Sequence, residues 1–330
     1  MEEKSMLKKI VAGLALSTAV LAVPAAAEEL KFANYMAPTH PYVASTFQPF
    51  ADAVAKATGN EVTVKLYNGG ELGAGPTDQY ARVVDGVTEL AVGLPGYTAS
   101  NFPLTLTAEL PGVLTEESGT EQLWANIDKL QPEYRRAHLV ALWSSAANVL
   151  FTRDKPVRTP EDVKGLKIRV PSRNAGLQVE AWGGSPVSMP VSEVYNALQT
   201  GVIDGAMIDG TAINAFKLSE VANFVTMGMQ TTNSPFFILM NRDAYEGLDD
   251  AAKAGIDAAG REASVNGSRI QRDVAAKGFD DFAKLPGKEI IALTPEQAAP
   301  FDVLSAQAVE TALAETGDEA RAFADALKAQ

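Results

Sequence analysis

"GLKIRVPS", residues 165–172, reads as a short strand that ends on a cation. Leu166, Ile168 and Val170 alternate with Lys167 and Arg169. Alternate side chains of a strand share a face, so one face is aliphatic and the other carries two positive charges. Pro171 cannot donate to a ladder and stops it one residue after Val170. Arg169 is therefore the last position on the charged face before the chain turns away. Lys167, two residues back, reads as solvated or structural.

The neighbouring segments supply the setting. Upstream, "TPEDVKG" (159–165) is a helical turn with Thr159 as cap and Pro160 at its first position. Downstream, "NAGLQVEAWGG" (174–184) is a helix stopped by glycines. "PVSEVYNALQTG" (190–201) is another, with Val191, Val194, Tyr195 and Leu198 at helical spacing and Gly201 as stop. "VIDGAMIDG" (202–210) is a turn and a short strand, and "HLVALWSS" (138–145) and "ANVLFTRD" (147–154) are strands. The first half of the chain alternates in the same way. "ELKFANY", "EVTVKLY" and "TELAVGL" read as strands. They are separated by a helix over 40–60 and a second opened near Pro76 and closed by Gly86. This βαβαβ order predicts a parallel sheet covered by helices. "NSPFFILMN" (233–241) is a strongly apolar strand, and from Leu248 onward the chain is helical and Ala-rich. No Gly/Ser tether joins the two α/β units, which predicts several crossovers and a stiff hinge.

The chain has 330 residues, 46% of them hydrophobic, which is the composition of a folded protein of one large or two smaller domains. Its start is expected to lie outside the fold. Lys4, Lys8 and Lys9 precede an apolar run from Ile10 to Val23, and "PAAAEE" follows with an Ala25-x-Ala27 pattern. That is a secretory signal with cleavage after Ala27, and it predicts a periplasmic protein. The run is short for a bilayer span, the alternative being an N-terminal anchor. Met6 is a second candidate start. Without any Cys, an exported chain has no disulfides and relies on its core. Residues 1–27 hold three Lys against two Glu, so removing them takes the net charge from −13 to −14. Such a chain does not bind nucleic acid through a general basic surface, and an anionic ligand must be caught by a local cation.

Several chemistries find no residues to carry them. Only His40 and His138 are present, and with no Cys a zinc or iron–sulfur site is not expected. The sequence has no G-x-S-x-G elbow, and "GGELGAG" (69–75) lacks the Lys-Ser/Thr of a P-loop. No cofactor is implied. His40, between Thr39 and Pro41 at a helix start, either serves that turn or meets a ligand at a strand-to-helix loop.

"KGLKIRVPS" (164–172), "GGSPVSMPVSEVYNALQTGVIDGAMI" (183–208) and "FFILMN" (236–241) together resemble the solute-binding proteins of TRAP transporters, the tripartite ATP-independent periplasmic family. The likeness runs from "FANYMAPTHP" (32–41) to the helical C-terminus, and "SEVYNALQTGVIDG" is its most specific part. The resemblance implies an α/β, two-domain periplasmic binding protein-like fold of type II-like kind. A ligand cleft lies between the lobes and a long helix spans both. The expected division is residues 28–147 with 235–272 as one domain and 148–234 with 273–330 as the other. The resemblance also implies a function without chemistry, the delivery of a small-molecule carboxylate to TRAP permease membrane subunits.

In this likeness Arg169 stands where the family grips the ligand carboxylate. Open α/β sheets bind ligands at the carboxyl ends of their strands, and a guanidinium there pairs bidentately with a carboxylate. The alternative is a structural salt bridge between domains. An Asn that many members carry after the "DG" turn aligns with Ile208, and a second Arg of acidic-sugar binders aligns with Val149, beside Asn148. Both departures replace polar grips with apolar surface and predict a small, relatively apolar monocarboxylate. Tyr97, Trp143, Phe151 and Phe236 either line the pocket or fill the core. Asp209 either accepts from a ligand hydroxyl or amine, or pairs with Arg169. Ser172, Val191 and Asn233 complete the candidate ligand contacts. A secreted enzyme on a related two-lobe scaffold and a ligand-presenting sensor subunit are the competing readings.

Overall fold

The computed structural model describes residues 28–73 and 75–329, so the expected signal segment lies outside the described residues. Among the described residues, eleven strands form two sheets. In chain order they are β1 Glu28–Ala33, β2 Val62–Tyr67, β3 Leu90–Gly93, β4 Ala137–Ser144, β5 Val149–Thr152, β6 Lys167–Val170, β7 Ser185–Ser188, β8 Gly205–Ile208, β9 Phe224–Met227, β10 Pro235–Asn241 and β11 Glu289–Ala292. The first sheet runs β2-β1-β3-β10-β4 and the second β11-β9-β5-β8-β6-β7.

The parallel β2-β1-β3 core of the first sheet follows from the alternating apolar segments and intervening helices read in the sequence. β10 enters antiparallel between β3 and β4. Apart from Asn241 at its end, it is buried on both faces, as its apolar run requires. In the second sheet β6 runs parallel to β7 and β8, while β5 lies antiparallel to β8 and β9. The polar strand β7, containing Pro186, was not legible as a strand. It sits at the sheet edge, where a residue without an N–H is tolerated.

The chain passes from the first sheet to the second between β4 and β5 and returns between β9 and β10. These two connections are themselves paired. Ser145 N donates to Ser234 O at 3.0 Å and Asn148 N to Thr232 O at 3.0 Å. The lobes are thus joined by two antiparallel strands that run on from one sheet into the other.

A helix of 33 residues, Asp250–Phe282, supplies a third connection. Asp249 caps it, its side chain accepting from Ala252 N. Ala252, Ile256, Ala259 and Ala263 pack into the core of the first sheet, and Phe282 packs into that of the second. Gly260 lies so close to β4 that a Cβ would sit 2.0 Å from Val140 O, and one on Gly267 would sit 2.9 Å from the Trp143 ring. These glycines serve close approach.

Pro295–Thr316 bridges the lobes as well. Phe301 stacks edge-on against Trp182 in the second core, while Val309 and Leu313 belong to the first. The last helix, Asp318–Lys328, buries Phe323 and Leu327 in that same first core. Residues 318–328 therefore pack with the first lobe, whereas the sequence reading placed everything after 272 with the second. The Ala-rich composition of this stretch gave no indication of which surface it covers. Two further local differences were found. The helix expected over 40–60 begins as a π-helical turn, Val43–Phe47, before the α-helix Gln48–Ala57. The one expected near Pro76 begins at Gln79.

Candidate functional site

The carboxyl ends of β1, β3, β6 and β8 converge between the lobes, and the loops leaving them line one narrow pocket. The loop after β1 is fixed by Asn34, whose Oδ1 accepts from Met36 N at 3.0 Å while its Nδ2 donates to Asn68 Oδ1 at 2.9 Å. It brings Tyr35, Met36, His40 and Tyr42 to the pocket, and the loop after β3 brings Leu94 and Tyr97. From the second lobe come Arg169, Pro171, Val191, Ile208, Asp209, Thr211 and Phe216. Asn148 and Ser234 line it from the paired connections, Phe236 from the start of β10, and Gln271 from the long helix.

Arg169 is 1% exposed. Its Nε donates to Met189 O at 2.9 Å, its Nη1 to Met207 O at 3.2 Å and its Nη2 to Tyr97 Oη at 3.2 Å. Burial pulls its pKa down, opposed by the neighbouring Tyr97, Tyr35 and Asp209. No described carboxylate lies within ion-pair distance of it, which excludes the inter-domain salt bridge among the described residues. Three of its five N–H groups are used, leaving two for another partner. Lys167, on the same strand face, is exposed.

Asp209 does not pair with Arg169. Its Oδ1 accepts from Thr211 N at 2.9 Å and its Oδ2 from Gln271 Nε2 at 2.9 Å, with burial pushing its carboxyl pKa up. Gln271 Oε1 accepts from the Tyr42 hydroxyl, and Trp143 Nε1 donates to Tyr42 Oη at 3.2 Å. A polar chain therefore runs from the first core through the long helix to the second lobe. His40 is buried, accepts from Tyr42 N through Nδ1 and has its pKa lowered to about 4 by burial, so it is a neutral ring at neutral pH. It meets Phe216 of the opposite lobe at a ring distance of 5.7 Å.

Asn148 donates through Nδ2 to Thr232 Oγ1 at 2.8 Å and Ser234 Oγ at 3.3 Å, tying the connecting segments together beside the pocket. Val149 turns into the second core instead.

Four candidate contacts lie elsewhere, each because of strand or cap geometry. Trp143 faces the first core and stacks at 13° on the far side of Phe236, so it backs the pocket wall. Asn233 points away because Ser234 and Phe236 share the pocket face of an extended segment. Its N–H donates to Glu109 O at 3.2 Å. Ser172 caps the helix Arg173–Ala181, accepting from Ala175 N, and donates to Glu109 Oε1 at 2.7 Å. Phe151 is core, against Phe282. The sequence reading missed Tyr35, Tyr42, Phe216 and Gln271. The strand-end rule that selected Arg169 would have flagged Tyr35. Gln271 was recognisable only as the one long polar residue on the buried Gly/Ala/Ser stripe of the long helix.

Among the described residues no helix is long and apolar enough to cross a membrane, and no group of three or more His, Asp or Glu side chains is placed to hold a metal. Residues 32–316 match the family model "Bacterial extracellular solute-binding protein, family 7". The C4-dicarboxylate-binding periplasmic protein DctP of Rhodobacter capsulatus is 25% identical over 308 residues, covering 91% of each chain. A marine metagenome TRAP solute-binding protein specific for aromatic acid ligands, solved with metahydroxyphenylacetate, superposes with a TM-score of 0.83 at 26% identity, over 92% of this chain and 98% of the other. A TRAP solute-binding protein from Rhodoferax ferrireducens, solved with copurified benzoate, gives 0.82 at 27% identity, over 91% and 96%. The chain belongs to the DctP family of bacterial extracellular solute-binding proteins, the solute receptors of TRAP transporters.

Proposed function

We propose that this chain captures a small monocarboxylate, aromatic or short, in the cleft between its lobes and delivers it to a TRAP-type permease. The observation that carries the reading is a fully buried guanidinium with two spare N–H groups and no described carboxylate partner, in a pocket whose walls are otherwise mainly aromatic and aliphatic. Burying an unpaired charge is costly, so such a cation implies an anionic partner that arrives from solution. Tyr35, His40, Tyr42, Phe216 and Phe236 favour a flat, apolar body behind that carboxylate. Ile208 and the inward-turned Val149 offer no grip for a polyhydroxylated sugar acid. The likeness to proteins solved with benzoate and metahydroxyphenylacetate supports the same class.

Asp209 retains acceptor capacity beyond Thr211 and Gln271, which suits a hydroxyl or amino group on the ligand. Hydroxybenzoates are therefore expected to bind more tightly than benzoate. Residues 1–27 serve as the export signal, and the mature chain works in the periplasm. A thermal-shift panel of aromatic, 2-oxo, 2-hydroxy and sugar acids, followed by calorimetry, tests the reading, because binding to the native state raises its melting temperature by mass action. Shifts confined to uronic or sialic acids overturn the ligand class. A panel without any response overturns carboxylate capture.

A further inference from the structure

We propose that the Tyr97 hydroxyl donates a hydrogen bond to the bound carboxylate, and that closure of the lobes is what aims it. The inference rests on the carboxylate reading above. Tyr97 belongs to the turn Pro95–Asn101 after β3, in the first lobe. Its oxygen accepts from two donors of the second lobe, Arg169 Nη2 at 3.2 Å and Val191 N at 3.1 Å. The Val191 N–H is the first amide of the helix Val191–Thr200, one of the donors a helix leaves without an internal partner.

With two donors filling its lone-pair directions, the hydroxyl has only its proton left to place. No described group accepts that proton, and the side chain lines the pocket. The neighbouring Arg169 keeps two N–H groups free. Guanidinium and phenol therefore form one anion seat whose halves come from opposite lobes. In an open protein Arg169 alone meets the incoming carboxylate. Closure brings Arg169 and Val191 to the Tyr97 oxygen and fixes the direction of its proton. Capture is then governed by Arg169 and retention by Tyr97.

The experiment uses the mature protein with whichever of benzoate, 3-hydroxybenzoate and mandelate binds most tightly, and Arg169→Ala as reference. Tyr97→Phe keeps the ring and removes only the hydroxyl. Losing a hydrogen bond to a charged group is expected to weaken binding about tenfold or more, in faster dissociation with association nearly unchanged. A ring-fluorinated tyrosine at position 97 separates donation from acceptance, since fluorination makes the phenol a better donor and a poorer acceptor. At mildly acidic pH, where the substituted phenol stays protonated, affinity is expected to hold or rise. Wild-type affinity in Tyr97→Phe overturns the inference while a loss in Arg169→Ala leaves the carboxylate reading standing. Weakening by phenylalanine and fluorotyrosine alike also overturns it, reducing Tyr97 to an acceptor that steadies Arg169. Failure of wild-type protein to bind any of the three acids overturns both.

Discussion

At the scale of a residue, Arg169 is held by two backbone carbonyls and a phenol, all neutral acceptors. They fix the plane of the guanidinium and leave its charge uncompensated. Arg169→Ala is accordingly expected to keep the fold and to lose carboxylate binding by about 2–5 kcal/mol, the range for truncating one partner of a buried charged pair. That is roughly thirtyfold to several thousandfold in Kd. Arg169→Lys should also bind poorly, because an ammonium cannot reproduce a planar fork that meets Met189 O, Met207 O and Tyr97 together. Calorimetry showing near-native affinity in either variant defeats the assignment. The place of Arg169 at the end of a charged strand face was legible from a period-two pattern and Pro171, whereas its role toward a ligand came only from the family resemblance. Trp143 and Asn233 were misplaced because adjacency in sequence does not tell which face of an extended segment turns inward, and Ser172 because it caps a helix. A one-residue change of register exchanges Asn233 for Ser234.

At the scale of an element, the long helix shows what composition can and cannot convey. Its helicity was legible, but the function of its glycines was not. Gly260 is a point of contact, with Val140 O 2.0 Å from where a Cβ would stand. Alanine at this position gains about 1 kcal/mol of helix propensity. Against that, a methyl pressed on a backbone oxygen cannot be relieved by a rotamer change, and overpacking of this kind costs about 1–3 kcal/mol. The steric cost prevails, so Gly260→Ala should lower the midpoint of denaturant unfolding. A variant as stable as the parent shows that the helix shifts freely on β4. The strands β7, β9 and β11 escaped notice for a related reason. None shows the apolar–charged alternation that marks the equally short β6, and each is specified by the neighbour it pairs with. The helix 191–200, by contrast, carries its own apolar stripe and its own stop at Gly201, which adopts a φ of 75°.

At the scale of the whole molecule, the pocket exists only because two lobes meet, and one buried acid reports on that meeting. Glu109 of the first lobe is buried against Ser172 of the second, with Oε2 lacking any described partner. Burial raises its pKa from the usual carboxylate value to about 7, the bonds from Ser172 and Asn174 opposing the rise. Opening the cleft would expose the carboxyl and return it toward an ordinary value. The closed form therefore holds the proton more tightly than the open form. The sign follows from linkage: acid favours closure, and the advantage is lost as pH rises from about 4.5 through about 7. Because ligand contacts on both lobes draw on the same equilibrium, the contribution of Glu109 to carboxylate affinity should increase as pH falls from about 7. Each unit of pKa difference between open and closed forms is worth about a factor of ten. His40 acts with the opposite sign: burial lowers its pKa to about 4, opening the cleft would return the ring toward its ordinary value, and acid therefore favours the open form through this residue. Asp209, also raised by burial, does contribute, so the measurement is the difference between wild type and Glu109→Gln. Between about pH 4.5 and 7, the calorimetric Kd of the wild type divided by that of Glu109→Gln should rise with pH. Scattering should give a smaller radius of gyration with saturating ligand than without. Equal pH slopes in the two proteins, together with an unchanged radius, would mean that Glu109 lies at a contact the lobes never open.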